Sequence, residues 1–297
     1  MSTDERSREE PTSTVKLGYI GLGNQGAPMA KRLVDWPGGL IVFDVRTEAM
    51  TPLAELGATL ADNIADVAAA DVISVTVLND EQVRDVVGEL AAHAIEGTVI
   101  AIHSTIEPGT AVELAEQLAP KGIHIVDAPV SGGAGAAEKG ELAVMVGADQ
   151  HAYDRVKPVF KQWASMVVRA GEPGAGTRMK IARNMLTYIG FTAACEAQRL
   201  AEASGIDLQK LGRVVRHSDA QSGGPGAIMY RDDTKNLAPD HFLHDMFVHT
   251  RGLAEKDLKL ALALGEATGV ELPLAEIALR DLAAGLGVPY TTSTTKE

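Results

Sequence analysis

LGYIGLGNQGAPMAKRL, residues 17–33, decides the architecture of the first half of this chain. A short apolar run ends at Ile20, glycines follow at 21, 23 and 26, and an amphipathic stretch begins at once. GxGxxG alone is a weak signal. A strand directly before it and a helix directly after it are the context in which it cradles a dinucleotide. Gly21 would allow the tight turn, Gly23 would let the backbone approach a pyrophosphate, and Gly26 would let the helix pack close to the strand. Leu22, Asn24 and Gln25 complete the expected phosphate loop.

Asp44 stands 23 residues after Gly21, near the roughly 20-residue spacing of a carboxylate that hydrogen-bonds the adenosine ribose. That favours NAD. Arg46, two residues on, keeps NADP open, because a guanidinium there could bind a 2′-phosphate.

Outward from this motif, short β-branched runs alternate with amphipathic stretches. Lys16–Ile20, Leu40–Phe43, Val72–Leu78, Val99–His103 and His124–Asp127 read as strands, with helices over Ala27–Asp35, Thr47–Glu55, Asp80–His93 and Gly109–Ala119. Strands joined by helical crossovers predict a parallel, doubly wound α/β sheet of the Rossmann type. Near residue 171 the pattern changes. Thr177–Ser204 contains no proline and reads as one helix, about 42 Å long at 1.5 Å per residue. Asp207–Arg216, Thr250–Thr268 and Pro273–Leu286 follow as further helices. The expected division is a dinucleotide-binding domain over 15–175 and an all-helical substrate and oligomerisation domain over 176–290, joined by the long helix, with solvated tails at 1–14 and 290–297.

A length of 297 residues suits two domains. The net charge of −13 repels phosphate backbones and anionic lipid, which argues against nucleic-acid and membrane partners. No run of about 18 apolar residues exists and the N-terminus is polar, so a cytoplasmic protein is expected. Cys195 is the single cysteine and is expected to be buried in its helix. His241, His244 and His249 lack a completing cysteine or acid pair, so no metal is expected.

Two further segments carry chemistry. Ser131, Gly132 and Gly133 lie in a glycine-rich stretch after a strand, read as a loop whose amides could cup a carboxylate. Lys180 and Asn184 stand at i and i+4, on one face of the long helix. Lysine can act as a general acid or base if its pocket lowers its pKa. Periodicity leaves open whether Lys180 faces solvent or a ligand.

Taken together, GLGNQG (21–26), HSTIEPGT (103–110), DAPVSGG (127–133), GAGTRMKIARN (174–184) and EKDLKLALALGEATGVELPL (255–274) resemble, in order and spacing, the β-hydroxyacid dehydrogenases. This is the family of 3-hydroxyisobutyrate dehydrogenase, tartronate semialdehyde reductase and 6-phosphogluconate dehydrogenase. The resemblance covers about residues 15–288. It implies an NAD(P)-dependent oxidoreductase moving a hydride between the nicotinamide and a small β-hydroxyacid, with Lys180 as acid/base. It also implies that Ser131, Gly132 and Gly133 hold the substrate carboxylate, that Asn184 binds substrate, that Thr105 lines the nicotinamide site and that Lys256 closes over cofactor and substrate. A homodimer or homotetramer built through the helical domain is implied in the same way. Gln25 stands where the family usually has Met, and Asn79 follows Leu78 where a Leu-Pro pair is common. Both changes fall near the cofactor loops and leave Lys180 untouched. The alternatives are a reductase of a small semialdehyde or imine, and a non-catalytic NAD-binding regulator.

Overall fold

The structure, a computed structural model, describes residues 14–290. Almost all of both expected tails therefore lies outside the described residues. In chain order the first half runs β1 (Leu17–Ile20), α1 (Gly26–Lys31), β2 (Leu40–Phe43), α2 (Thr47–Ala54), β3 (Thr59–Leu60), α3 (Ile64–Val67), β4 (Val72–Val75), α4 (Asp80–His93), β5 (Val99–Ile102) and α5 (Pro108–Leu118). It continues through β6 (His124–Asp127), β7 (Val130–Ser131), α6 (Gly133–Lys139), β8 (Leu142–Gly147), α7 (Gln150–Phe160) and β9 (Ala164–Gly171).

These strands form one sheet in the order β3-β2-β1-β4-β5-β6-β8-β7, with β9 paired to β8. Strands β1, β4 and β5 are buried at every residue, as a parallel sheet covered on both faces requires. Alternate residues feed opposite cores: Leu17, Tyr19, Val99 and Ala101 pack on one side, Ile20, Ile100 and Ile102 on the other. The strand order reverses between β1 and β4, so their C-terminal turns open a crevice at the position where such sheets bind ligands.

The sheet is not wholly parallel. β8 runs antiparallel to β6 and β7, because the connection through α6 is too short for a parallel crossover of about a dozen residues or more. Residues 133–139, read as loop, are the helix α6, built on Ala134, Ala136 and Ala137 and ended by left-handed Gly140. Helix α1 stops at Lys31, short of Asp35. Arg32 and Leu33 close onto Met29 and Ala30 with tighter i→i−3 bonds, and Pro37 disfavours helical backbone at Trp36.

The second half consists of α8 (Ala175–Ala203), α9 (Leu208–Ser222), α10 (His244–Thr268) and α11 (Pro273–Gly285). The long helix lies where its composition placed it, while α9 extends six residues beyond Arg216 and α10 starts six before Thr250. The chain divides into two compact units, with the break between Met185 and Leu186 inside α8. In the second unit Leu243, Phe247, Leu286 and Val288 form a small core. The buried Glu196 carboxylate accepts the N–H groups of Leu274 and Ala275 and ties α8 to the start of α11. Cys195 is exposed, contrary to expectation. Its neighbour Glu196 holds the inward position, and adjacent helical residues point about 100° apart.

Candidate active site

The first turn delivers the expected geometry. Gly21 has φ +91°, and a Cβ there would strike the Thr76 carbonyl; a Cβ at Gly26 would strike the Gly21 carbonyl. Both positions therefore need glycine, the first for conformation as well as space. A Cβ at Gly23 would meet nothing within 4 Å, so the backbone there is open to a ligand. Beside this turn lies a cavity of about 610 Å³ whose lining includes Gly21, Gly23, Asn24, Asp44, Arg46 and Leu78, together with Thr76, Gln82, Asp85, Val86 and Ile64. Its place at the β1/β4 switch point, its size and its open glycine fit a dinucleotide.

The remaining expected cofactor residues sit differently. The Leu22 side chain is in the core, and its N–H is taken by Asp44 Oδ2 at 2.7 Å. Gln25 precedes α1 as its N-cap position and makes no side-chain cap bond. Asn79 caps α4, accepting the Gln82 N–H at 2.9 Å, while Gln82 Oε1 takes the Leu78 N–H at 2.9 Å. Thr105 is exposed between β5 and α5. That loop is tied to the β4–α4 loop by Ser104, whose hydroxyl donates to the Val77 carbonyl and accepts its N–H, and by Asp80, which accepts the Glu107 N–H. Lys256 lies on α10 in the second unit, exposed and paired with Asp257 at 2.9 Å.

Asp44 and Arg46 form a unit. Asp44 Oδ1 accepts both the Arg46 backbone N–H at 2.9 Å and its Nε at 3.2 Å. Burial pushes the Asp44 carboxyl up, but the N–H groups of Arg46 and Leu22 and the guanidinium outweigh it and hold the group below its ordinary value. The carboxylate is 8% exposed and its charge is locally compensated. Gln82, Asp85, Val86 and Ile64 are cavity residues that the sequence alone does not mark. The Asn79-x-x-Gln82 capping pattern was the available signal that the α4 start faces the loop.

Lys180 Nζ donates to the Val130 carbonyl at 2.7 Å, next to Ser131. Half-burial lowers the ammonium's pKa, and Arg183 lowers it further. Asn184 follows one turn along α8, its amide oxygen 3.4 Å from an Arg183 nitrogen. Gly132 and Gly133 are exposed at the start of α6. Lys180 is thus brought to the Val130–Ser131 strand, 50 residues back along the chain. Among the described residues no three His, Cys, Asp or Glu side chains cluster as a metal site would need, and no helix is long and apolar enough to cross a membrane.

Comparison with known proteins agrees with this layout. Residues 16–171 match the family described as the NAD binding domain of 6-phosphogluconate dehydrogenase, and residues 174–287 match the NAD-binding domain of NADP-dependent 3-hydroxyisobutyrate dehydrogenase. An uncharacterized oxidoreductase of Mycobacterium tuberculosis is 65% identical over 93% of this chain and 95% of that one. The 3-hydroxyisobutyrate dehydrogenase of Pseudomonas aeruginosa is 33% identical over 88% of this chain and 89% of its own length. A solved structure from Mycobacterium avium, 70% identical, superposes with a TM-score of 0.91 over 93% of this chain and 100% of that one. A Rossmann-type sheet with the dinucleotide turn at its switch point is followed here by a helical half, each matched by its own family model, and the chain belongs to the β-hydroxyacid dehydrogenase family as an NAD(P)-binding oxidoreductase.

Proposed function

We propose that the protein interconverts a small β-hydroxyacid, of the type of 3-hydroxyisobutyrate, and its carbonyl form, with Lys180 as general acid/base. The observation that carries this reading is the Lys180 Nζ, half-buried on the Val130 carbonyl beside Ser131, with Asn184 one turn away. The bound dinucleotide supplies the hydride acceptor or donor. Lys180 takes the hydroxyl proton in oxidation and returns it in reduction, and its lowered pKa makes the neutral amine available below the ordinary lysine range. Ser131, Gly132 and Gly133 hold the substrate carboxylate, and Asn184 fixes the hydroxyl beside Lys180. Thr105 lines the nicotinamide position, and Lys256 closes over cofactor and substrate.

Residues 15–175 then serve the cofactor, and 176–290 serve substrate and assembly. NAD is the preferred cofactor, with NADP accepted, because Asp44 lines the cavity, 23 residues after Gly21, while Arg46 offsets its charge. Assembly is a homodimer or homotetramer built on α8, whose Met185, Tyr188, Ile189 and Phe191 are each more than half exposed.

The test is reduction of NAD and of NADP by purified protein with 3-hydroxyisobutyrate, glycerate, serine and 4-hydroxybutyrate, beside Lys180→Ala. Turnover with one of these acids, lost by roughly 10²–10⁴-fold in the variant, is expected. Its oxidation rate should rise with pH through one ionisation below that of ordinary lysine, absent from Lys180→Ala. Turnover retained in that variant removes lysine from the mechanism.

A further inference from the structure

Asp127 ends β6 fully buried, and the proposed chemistry gives it nothing to do. Its Oδ1 accepts the Gly174 N–H and its Oδ2 the Thr177 N–H, each at 2.6 Å. These donors flank the start of α8, where backbone N–H groups have no partner within the helix. Burial holds the carboxyl's pKa above its ordinary value, and the two short bonds offset that rise only in part. Both oxygens serve as acceptors, and each of these short bonds favours the carboxylate form.

The surroundings are cut to this contact. A Cβ at Gly147, opposite Asp127 on β8, would run into the carboxylate, and one at Gly176 would run into the Met145 and Asp127 carbonyls. The first turn of α8 can lie this close to β6 only because both positions lack a side chain. Three residues further along each segment comes a second link, Lys180 Nζ to the Val130 carbonyl. Thr177 and Lys180 are i and i+3 on one helix face. Asp127 and Val130 belong to the short stretch leading from β6 into β7. The first link fixes the height and rotation of the helix at which the second is made.

We infer that Asp127 is the positioning residue for Lys180, holding the first turn of α8 against β6 so that the lysine ammonium is presented to the Ser131–Gly132 segment. This rests on the acid/base reading of Lys180. Removing one acceptor oxygen leaves the lysine in place but frees its helix turn. Asparagine offers one acceptor and one donor, so one N–H of α8 loses its partner and faces another donor.

The experiment is a double-mutant cycle on the full-length protein with NAD and 3-hydroxyisobutyrate, using Asp127→Asn, Lys180→Ala and the pair, together with hydrogen exchange of peptides spanning 174–184. Asp127→Asn should lower kcat by roughly 100-fold, the cost of about 1 Å of misplacement, while leaving the KM for NAD unchanged. The double variant should be no slower than Lys180→Ala, because Asp127 acts only through the lysine. Exchange should quicken over 174–184 and stay unchanged over 17–33. If Asp127→Asn does not fold, Gly147→Ala, which crowds the carboxylate from β8, should give the same loss confined to kcat. Full kcat, losses that multiply in the double variant, or unchanged exchange overturn the inference. Turnover retained in Lys180→Ala sinks the acid/base reading instead, and the exchange rates over 174–184 then show by themselves whether Asp127 holds the helix turn.

Discussion

In the first unit Leu17, Tyr19, Ile73, Ile100 and Ile102 sit on strands covered on both faces and are almost inaccessible; in the second, Tyr188, Ile189 and Phe191 of α8 and Val214 of α9 are each more than half exposed. The same kind of residue is spent in opposite ways. A sheet with helices on both faces closes its own core, and two large clusters of buried residues result. Among the described residues of the second unit the one core cluster is small, formed by Leu243, Phe247, Leu286 and Val288 near the start of α10 and the end of α11, and α9 buries no residue. Apolar side chains left outside so small a core have the pattern of half an interface, which supports the proposed assembly of copies through α8. The cofactor half encloses its apolar side chains; the helical half leaves many of its own exposed.

The largest effect is expected where that contrast is attacked directly. Tyr188→Asp combined with Phe191→Asp places two charges on the exposed face of α8. Each large apolar side chain buried in an interface contributes about 1.5–3 kcal/mol, so the pair should remove about 5 kcal/mol of association. Light scattering should give a multiple of the chain mass for the parent and the mass of one chain for the variant. A parent that is monomeric at all concentrations would mean that the exposed residues serve something other than a second copy.

A smaller effect tests the closed core of the first unit. His103 is buried with Nδ1 on the Ala128 carbonyl at 2.9 Å and Nε2 on Ser74 Oγ at 3.0 Å. Burial lowers its pKa to about 4, from the usual 6.5. The folded state therefore holds the neutral ring while the unfolded chain takes up a proton between pH 6.5 and 4. Stability rises with pH across that window, is complete above it, and loses about 3 kcal/mol as the pH falls through it. His103→Asn should lower the melting temperature at neutral pH but flatten its dependence between pH 4 and 6.5. An unchanged slope would assign the acid sensitivity to other groups.

What could be read from the sequence divides along the same line. The β1 turn was legible because its demands are local: Gly21 and Gly26 answer to atoms of the turn itself and of the loop that follows the adjacent β4, and their spacing records that. The long helix was legible from the absence of proline over 177–204. Strand β6 was legible with its bounds, His124–Asp127, but the region from β7 to β9 was not, since the glycines that read as loop in GGAGAAEK are compatible with a short alanine helix. Asp127 lies in a motif that points to its neighbours Ser131, Gly132 and Gly133, and its own role is invisible there, because its partners stand 47 and 50 residues away and no period connects them. In the second unit the helices were visible but their inward faces were not. Apolar residues occur on several sides of α8, and Glu196 rather than Cys195 is the buried one.

The smallest expected effect concerns cofactor choice, where the first unit is least committed. Asp44 should repel a 2′-phosphate, yet Arg46 lies on its Oδ1 and screens it, so the preference for NAD over NADP should be modest. Asp44→Asn keeps an acceptor for the Leu22 N–H and removes the charge that holds the guanidinium. Arg46, already 56% exposed, can then turn to a phosphate. The ratio of kcat/KM for NADP to that for NAD should rise about tenfold, about 1.4 kcal/mol, with a lower melting temperature because the amide leaves the Arg46 N–H without its acceptor. Arg46→Ala should move the ratio the other way by leaving Asp44 uncompensated. If both variants leave the ratio where it was, discrimination lies elsewhere in the wall of the cavity, and Asp85, at the end formed by α4, becomes the residue to change next.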